Sequence, residues 1–397
     1  MAFGNNENTD KVSLTPGEWV NRIIFDAVNA RASDIHLDPH ESEFHVRFRI
    51  DGVLNEIVKD SMVGYPVVAR RIKILGQMDV ADDRKPQDGR GNLLNPNTGK
   101  MLEFRVSSIP TIFGEAMVVR FIDQSKVIFD SFESMGMDSA DAEMMRFMIT
   151  KPSGMILVTG PAGSGKTSTL YTALNQIRSP SKNIVTLEDP VEFQLEYIRH
   201  CQIRPAVGFT FAEGMKAILR QDPDVIFIGE IRDHETAEIA VSASLSGRFV
   251  FSNISTSDTL GTITRFIELG IPRSFISSSL LLAVSKRLLR KNCPKCSQPY
   301  TPSDKFLSAA GITSLEGVDF KKGQGCDFCS GKGYFERMPV FEFLVVTKEI
   351  SNLITEGATI QEIFDMARSQ GLRTLKESAI NLAKKGDVTL EDAVYIT

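Results

Sequence analysis

The sequence predicts an α/β protein whose main body is a parallel sheet buried on both faces, with a smaller α+β domain ahead of it. Three observations carry the prediction. From Met155 onward, short apolar runs without alternation (155–159, 184–187, 225–228 and 249–252) recur between helical stretches, the pattern of strands covered on both faces. The first run leads directly into Gly160-Pro-Ala-Gly-Ser-Gly-Lys-Thr167, and a helical segment, Ser168 to Ile177, follows. Ahead of residue 123 the pattern changes. Phe44-His-Val-Arg-Phe-Arg-Ile50 alternates strictly, so Phe44, Val46, Phe48 and Ile50 face a core while His45, Arg47 and Arg49 face away.

Taken in order, residues 1–13 are polar and expected to be disordered. A helix starts at Pro16, because Thr15 and Glu18 have capping-box spacing and proline suits the first helical position. Val20, Ile23, Ile24, Ala27 and Val28 give it one apolar stripe. Asp51-Gly52 turns the alternating strand into a hairpin. A helix is expected over Val67 to Met78, a turn at Pro86-Gln-Asp-Gly89, and strands over Leu102–Val106 and Ala116–Ile122. These make an α+β domain over 14–123. A linker spans 124–136, a helix follows at Ser139 to Thr150, and the second domain occupies 137–397. Within it a cysteine-bearing insertion covers 291–335 and a helical tail 347–397.

The chain has 397 residues and a net charge of −5, which gives no electrostatic case for a nucleic-acid carrier. No apolar stretch approaches the roughly eighteen residues needed to span a bilayer, and no charged-then-apolar signal segment opens the chain. The protein is expected in the cytoplasm, with any membrane role exercised through partners. Four of the five cysteines form C-x-x-C pairs, Cys293/Cys296 and Cys326/Cys329, a spacing that points to a tetrahedral zinc site with four thiolates and no open position. Cys201 is left over and reads as a packed or surface thiol.

The glycine-rich segment fits the phosphate-loop pattern in its required strand–loop–helix context. Its backbone amides and the following helix N-terminus form a nest for polyphosphate. Gly160, Pro161, Ala162, Gly163, Ser164, Gly165, Lys166, Thr167 and Ser168 are the expected nucleotide-binding residues. Lys166 would reach the β- and γ-phosphates of ATP, and the Thr167 hydroxyl would ligate Mg²⁺. Ligands of open α/β sheets bind beyond the carboxyl ends of the strands. There the sequence places Glu188, Glu230 and Asp258. Glu230 is assigned as the group that positions water or metal-bound water, and Glu188 as its partner. Charge on the transferring phosphoryl group needs cations, and the first domain offers Arg47, Arg49, Arg84, Arg90, Arg105 and Arg120.

Together these motifs resemble the type II secretion and type IV pilus assembly ATPases. The first domain carries Ala32-Ser-Asp-Ile-His-Leu37, Val46-Arg-Phe-Arg-Ile-Asp-Gly52, Arg84-Lys-Pro-Gln-Asp-Gly-Arg90, Arg105-Val-Ser107 and Gly114-Glu115. The second carries the phosphate loop, Thr186-Leu-Glu-Asp-Pro-Val-Glu192, Leu219-Arg-Gln-Asp-Pro-Asp224 and Ile228-Gly-Glu-Ile-Arg-Asp233, then the tetracysteine segment and Gly371-Leu-Arg-Thr-Leu375. The resemblance implies a RecA-like ATPase core preceded by a PAS-like domain, assembled as a homo-hexamer with ATP between the two domains. It implies that Glu230 is the Walker B glutamate, that Glu188 belongs to the aspartate box, and that Arg105 and Arg120 reach toward the nucleotide, with Arg84 a further candidate. It also implies that the cysteines bind Zn²⁺, as in the secretion and extension members rather than the retraction ones. The partner would be a platform protein of the inner membrane, at whose cytoplasmic face the ring would work.

Two departures stand out. The family's histidine box has Gly-His and Leu-His-Thr, where this chain has Gly247-Arg248 and Ile254-Ser255-Thr256. Arginine and serine cannot exchange a proton near neutral pH as imidazole does, so ATP binding is expected with slow or differently coupled turnover. Larger relatives also carry an additional N-terminal domain, for which 397 residues leave no room. A regulatory or scaffold subunit of the same machine is the alternative reading. A nucleic-acid translocase is a third, disfavoured by the acidic balance and the lack of a basic, aromatic-rich stripe.

Overall fold

The structure, a computed structural model, describes residues 15–96, 99–122 and 128–396. It divides into two compact units, Met1–Gln124 and Ser125–Thr397. The expected disorder of residues 1–13 and the start of the expected linker lie outside the described residues.

In the first unit the Thr15 capping box forms: the Thr15 amide and hydroxyl each donate to Glu18 at 2.8 Å. It opens α1 (Pro16–Asn29), which is followed by β1 (Ala32–Pro39), β2 (Glu43–Ile50), β3 (Val53–Ser61), α2 (Tyr65–Leu75), β4 (Gln87–Leu94), β5 (Met101–Thr111) and β6 (Gly114–Ile122). The strands form one antiparallel sheet in the order β3-β2-β1-β6-β5-β4. The alternation read from Phe44 to Ile50 holds: those four apolar residues are buried together with Val20, Ile23, Ile24, Ile72 and Phe104. The expected turn at 86–89 is instead the beginning of β4. Its glycines permit this, because a Cβ on Gly91 would lie 2.1 Å from the Leu75 carbonyl oxygen at the end of α2; glycine within a strand marks such a close backbone approach.

The second unit contains α3 (Ser139–Met148), β7 (Gly154–Thr159), α4 (Lys166–Ile177), β8 (Ile184–Glu188), β9 (Ile198–Gln202), α5 (Phe211–Ile218), β10 (Val225–Ile228), α6 (His234–Leu245), β11 (Phe249–Ile254), α7 (Thr259–Glu268), α8 (Arg273–Ser279) and β12 (Leu280–Asn292). Then come β13 (Ser297–Pro299), α9 (Asp304–Ala309), β14 (Lys321–Gly323), β15 (Tyr334–Val345), and the helical end, α10 (Lys348–Glu356), α11 (Ile360–Ser369), α12 (Leu375–Lys384) and α13 (Leu390–Val394). The sheet order is β15-β12-β7-β11-β10-β8-β9. All neighbours are parallel except β12 and β15. Strands β7, β8, β10 and β11 are buried at every position, as their unbroken apolar runs require. The described part of the expected linker, 128–136, holds Phe132 and Met135, both buried, and the Phe129 amide donates to Thr172 on α4 at 3.2 Å.

Candidate active site

The loop from Gly160 to Gly165 joins β7 to α4, at the carboxyl end of an interior strand of the sheet, between β12 and β11. Lys166 opens the helix and folds back on the loop, its Nζ donating to the Gly160 carbonyl at 2.7 Å and to that of Pro161 at 3.1 Å. Burial pushes this ammonium below its ordinary pKa; Glu230 works against that shift and Arg287 adds to it. The Ser164 hydroxyl is buried and has no hydrogen-bond partner among the described residues, an orphan that a bound phosphate oxygen would satisfy. Ser168 and Thr167 are half-buried in the first turn of α4.

Hydrogen bonds between strand ends fix the neighbouring acids. Thr159 donates to the Thr256 carbonyl at 2.8 Å and accepts from its amide at 2.9 Å. Ser252 donates to Ile228 O at 2.9 Å and Asn253 to Gly229 O at 3.0 Å. Glu230 therefore leaves the end of β10 toward the segment after β11. One of its oxygens accepts from the Ser255 hydroxyl at 2.7 Å, the other from Arg232 at 2.7 Å. Burial opposes its charge, but Ser255, Arg232 and Lys166 together outweigh burial and hold the carboxyl below the usual range. Glu230, Arg232, Ser255, Asp258 and Arg265 line a cleft of about 580 Å³. Of the two residues expected at histidine-box positions, Ser255 thus sits on Glu230, whereas Arg248 donates to the carbonyl of Ser246. Asp258 caps α7, accepting from the Gly261 amide at 2.7 Å.

Glu188 has a different setting. It ends β8 with its carboxylate buried, accepting from Tyr171 Oη at 2.5 Å, Thr186 Oγ1 at 2.6 Å and His200 Nδ1 at 3.0 Å. His200 Nε2 accepts from the Leu195 amide at 3.0 Å, which leaves the ring proton on Nδ1 to donate to Glu188. The backbones of the two acids are close, since a Cβ on Gly229 would lie 3.4 Å from Glu188 Cα. Among the described residues their side-chain hydrogen-bond networks nonetheless share no member. Tyr171 and His200 carry no motif signal of their own, and sequence reasoning missed both.

In the first unit, strand pairing sets Arg49, Asp34, Arg120, Arg105 and Arg90 in register on adjacent strands, β2-β1-β6-β5-β4. Residues so paired share a face, so four arginines and one aspartate form a row across the sheet. Asp34 is buried and pairs with Arg120 at 2.7 Å, whose own side chain is 67% exposed. Arg47 pairs with Asp38 at 2.8 Å. Arg84 lies off the sheet beside Asp82.

The four cysteines converge. Sγ–Sγ distances are 3.8 Å for Cys293–Cys326, Cys296–Cys329 and Cys326–Cys329, about the edge of a tetrahedron with 2.3 Å zinc–sulfur bonds. The amides of Gly325, Cys326 and Gly333 donate to sulfur at 3.3, 3.2 and 3.2 Å, as thiolate ligands require. The donor set fits zinc. Cys201 is half-buried against the core of the unit, where burial pushes its thiol up.

A sequence model of the Type II/IV secretion system protein family matches residues 10–395. The type IV pilus assembly ATPase PilB of Myxococcus xanthus is 40% identical over 396 residues, covering 98% of this chain and 70% of that protein. Type II secretion system protein E of Dickeya dadantii is 39% identical over 378 residues, covering 95% and 75%. Among solved structures, the pilus retraction motor PilT with bound ADP superposes with a TM-score of 0.64 at 26% identity, covering 95% of this chain and 96% of that one. The Legionella pneumophila ATPase DotB shares the fold, with a TM-score of 0.71 at 19% identity over 97% and 96% of the two chains. Among the described residues no helix is long and apolar enough to cross a membrane. With a phosphate loop, a carboxylate held past the end of β10 two strands away and a tetracysteine cluster all in one RecA-like unit, the chain belongs to the Type II/IV secretion system protein family, and with it to the secretion and pilus assembly ATPases.

Proposed function

We propose that this chain is the hydrolytic subunit of a homo-hexameric motor that powers type II secretion or type IV pilus assembly through an inner-membrane platform protein, at the cytoplasmic face of that membrane. The observation that carries hydrolysis is the charged Glu230, held by Ser255 and Arg232 and close enough to Lys166 to act on its ammonium. The loop amides and Lys166 grip the phosphates; Thr167 would hold Mg²⁺, which would supply charge to offset that of the phosphates. Glu230 orients the attacking water. Water adds to the γ-phosphorus as the bond to the β,γ-bridging oxygen breaks, and its proton passes to Glu230 or to phosphate. Arg105 and Arg120 lower the charge of the transferring group. Glu188 acts one step back, fixing α4 through Tyr171. Phosphate release from Lys166→Ala is expected to fall to background; turnover that survives the change overturns the assignment of the loop.

A second reading, a poorly hydrolysing regulatory subunit, is favoured by one observation: the group on Glu230 is the Ser255 hydroxyl, which cannot relay a proton as imidazole does. The four cysteines would hold one Zn²⁺ in a structural role, as a brace that takes no part in the chemistry. Elemental analysis of a chelator-free preparation should find one zinc per chain, and less than about half of that counts against the site.

A further inference from the structure

Lys286, on β12, is 3% exposed. Its Nζ lies behind the phosphate loop, donating to the Gly165 carbonyl and to Thr169 Oγ1 at 3.1 Å each, with the Phe341 ring 5.2 Å away. Among the described residues no carboxylate pairs with it. Both acceptors are neutral, Gly165 capping α4 and Thr169 lying in its first turn. Thr169 in turn donates to Gly165 O at 3.2 Å and touches Met135 Sδ at 3.5 Å. The charged residues of the flanking elements are engaged elsewhere. Lys166 bonds the loop carbonyls and Arg287 the Ser257 carbonyl at 2.5 Å. Glu342 accepts from Thr259 and from the Leu375 amide at 3.0 Å. The fit at the loop is close: Gly165 has φ +83°, and a Cβ there would meet Lys286 Nζ at 3.0 Å.

An ammonium buried this deeply is costly without an opposite charge. Here the helix N-terminus adds positive potential. One anion would complete the arrangement, and it would enter from the other side of the same loop. We propose that Lys286 is a second, buried lysine of the phosphate site, which takes up a proton when nucleotide phosphates fill the nest and so makes nucleotide affinity depend on pH. The inference rests on the reading that this loop binds nucleotide. In the free protein, burial lowers this amine to about 7. Bound phosphate raises it again, because negative charge favours the protonated form. The liganded state then holds more protons above pH 7, and affinity falls as pH rises.

Calorimetric titration with Mg·ADP in two buffers of different ionisation enthalpy tests this in the wild-type protein and in Lys286→Gln, with Lys286→Met as a second variant should the first not fold. At pH 8 the wild type should take up close to one proton more per ADP than the variant. Its dissociation constant should weaken by up to about tenfold per pH unit above pH 7, with a flatter slope in the variant. Contributions from Lys166, Glu230 and the nucleotide's own phosphates occur in both proteins and cancel in the difference. Equal proton uptake in the two proteins, or no uptake by the wild type at pH 8, overturns the inference while ADP still binds. Absence of ADP binding at any pH overturns the nucleotide reading itself.

Discussion

Glu188 and Glu230 end neighbouring strands of one sheet, yet they are built for different work. Glu188 is sealed: every oxygen is taken by a buried donor, and the partners come from α4, β8 and β9. Glu230 is a quarter exposed at its side chain, opens on a cleft, and is held by an exposed arginine and a serine. A carboxylate that accepts from three buried donors fixes the elements they belong to; removing it leaves donors unsatisfied. A carboxylate at the edge of a cleft can exchange its partners for water, metal-bound water or substrate. On the proposed reading the two positions separate stability from chemistry, although the sequence presents each as an acid just past an apolar run, Glu188 directly and Glu230 after Gly229.

Isosteric amides at the two positions break or sharpen this contrast most strongly. Glu230→Gln keeps the Ser255 hydrogen bond and removes the charge. Phosphate release is expected to fall by at least about 100-fold, with unfolding in urea little changed. Glu188→Gln places an amide nitrogen against a donor in a buried network, so the denaturation midpoint should drop by an amount equivalent to about 3 kcal/mol. Residual turnover of the folded fraction should be lost far less than in Glu230→Gln. If Glu188→Gln is as stable as the wild type and as inactive as Glu230→Gln, Glu188 works on the nucleotide directly and the contrast collapses. If Glu230→Gln turns over like the wild type, the poorly hydrolysing reading takes its place.

How far the sequence disclosed this site follows from where the information lies. The phosphate loop, the four buried parallel strands and the C-x-x-C pairs are local patterns: an unbroken apolar run, glycines at fixed offsets, a two-residue spacing. Each was legible before any fold was known. Strands β1, β12 and β15 were not, because β12 and β15 mix apolar and charged residues over lengths that carry no clean period, and their pairing is set by distant chain. Lys286 sits in Ser-Lys-Arg-Leu-Leu-Arg-Lys, which reads as a solvated charge run. Only the pairing of β12 with β7 and β15 turns that one lysine inward beneath the loop. Likewise the arginines of the first unit were visible one by one, but their row, with Asp34 buried between Arg49 and Arg120, exists only in the cross-strand register.

The smallest expected effect concerns what holds Glu230. The Ser255 hydroxyl bonds one oxygen and Arg232 the other, and both favour the charged form. Ser255→Ala removes one of these while leaving Arg232 and Lys166 in place, so the Glu230 carboxyl rises toward its ordinary range without reaching neutrality near pH 7. A group that must be ionised to orient water loses activity as pH falls through its pKa. The acid limb of the rate profile should therefore shift to higher pH in Ser255→Ala, with phosphate release near pH 8 within a few-fold of wild type. A loss of equal size at every pH would mean instead that the serine touches substrate or water itself. An unchanged profile would mean that Arg232 and Lys166 set the charge of Glu230 without the hydroxyl, and that Ser255 contributes nothing to the reaction.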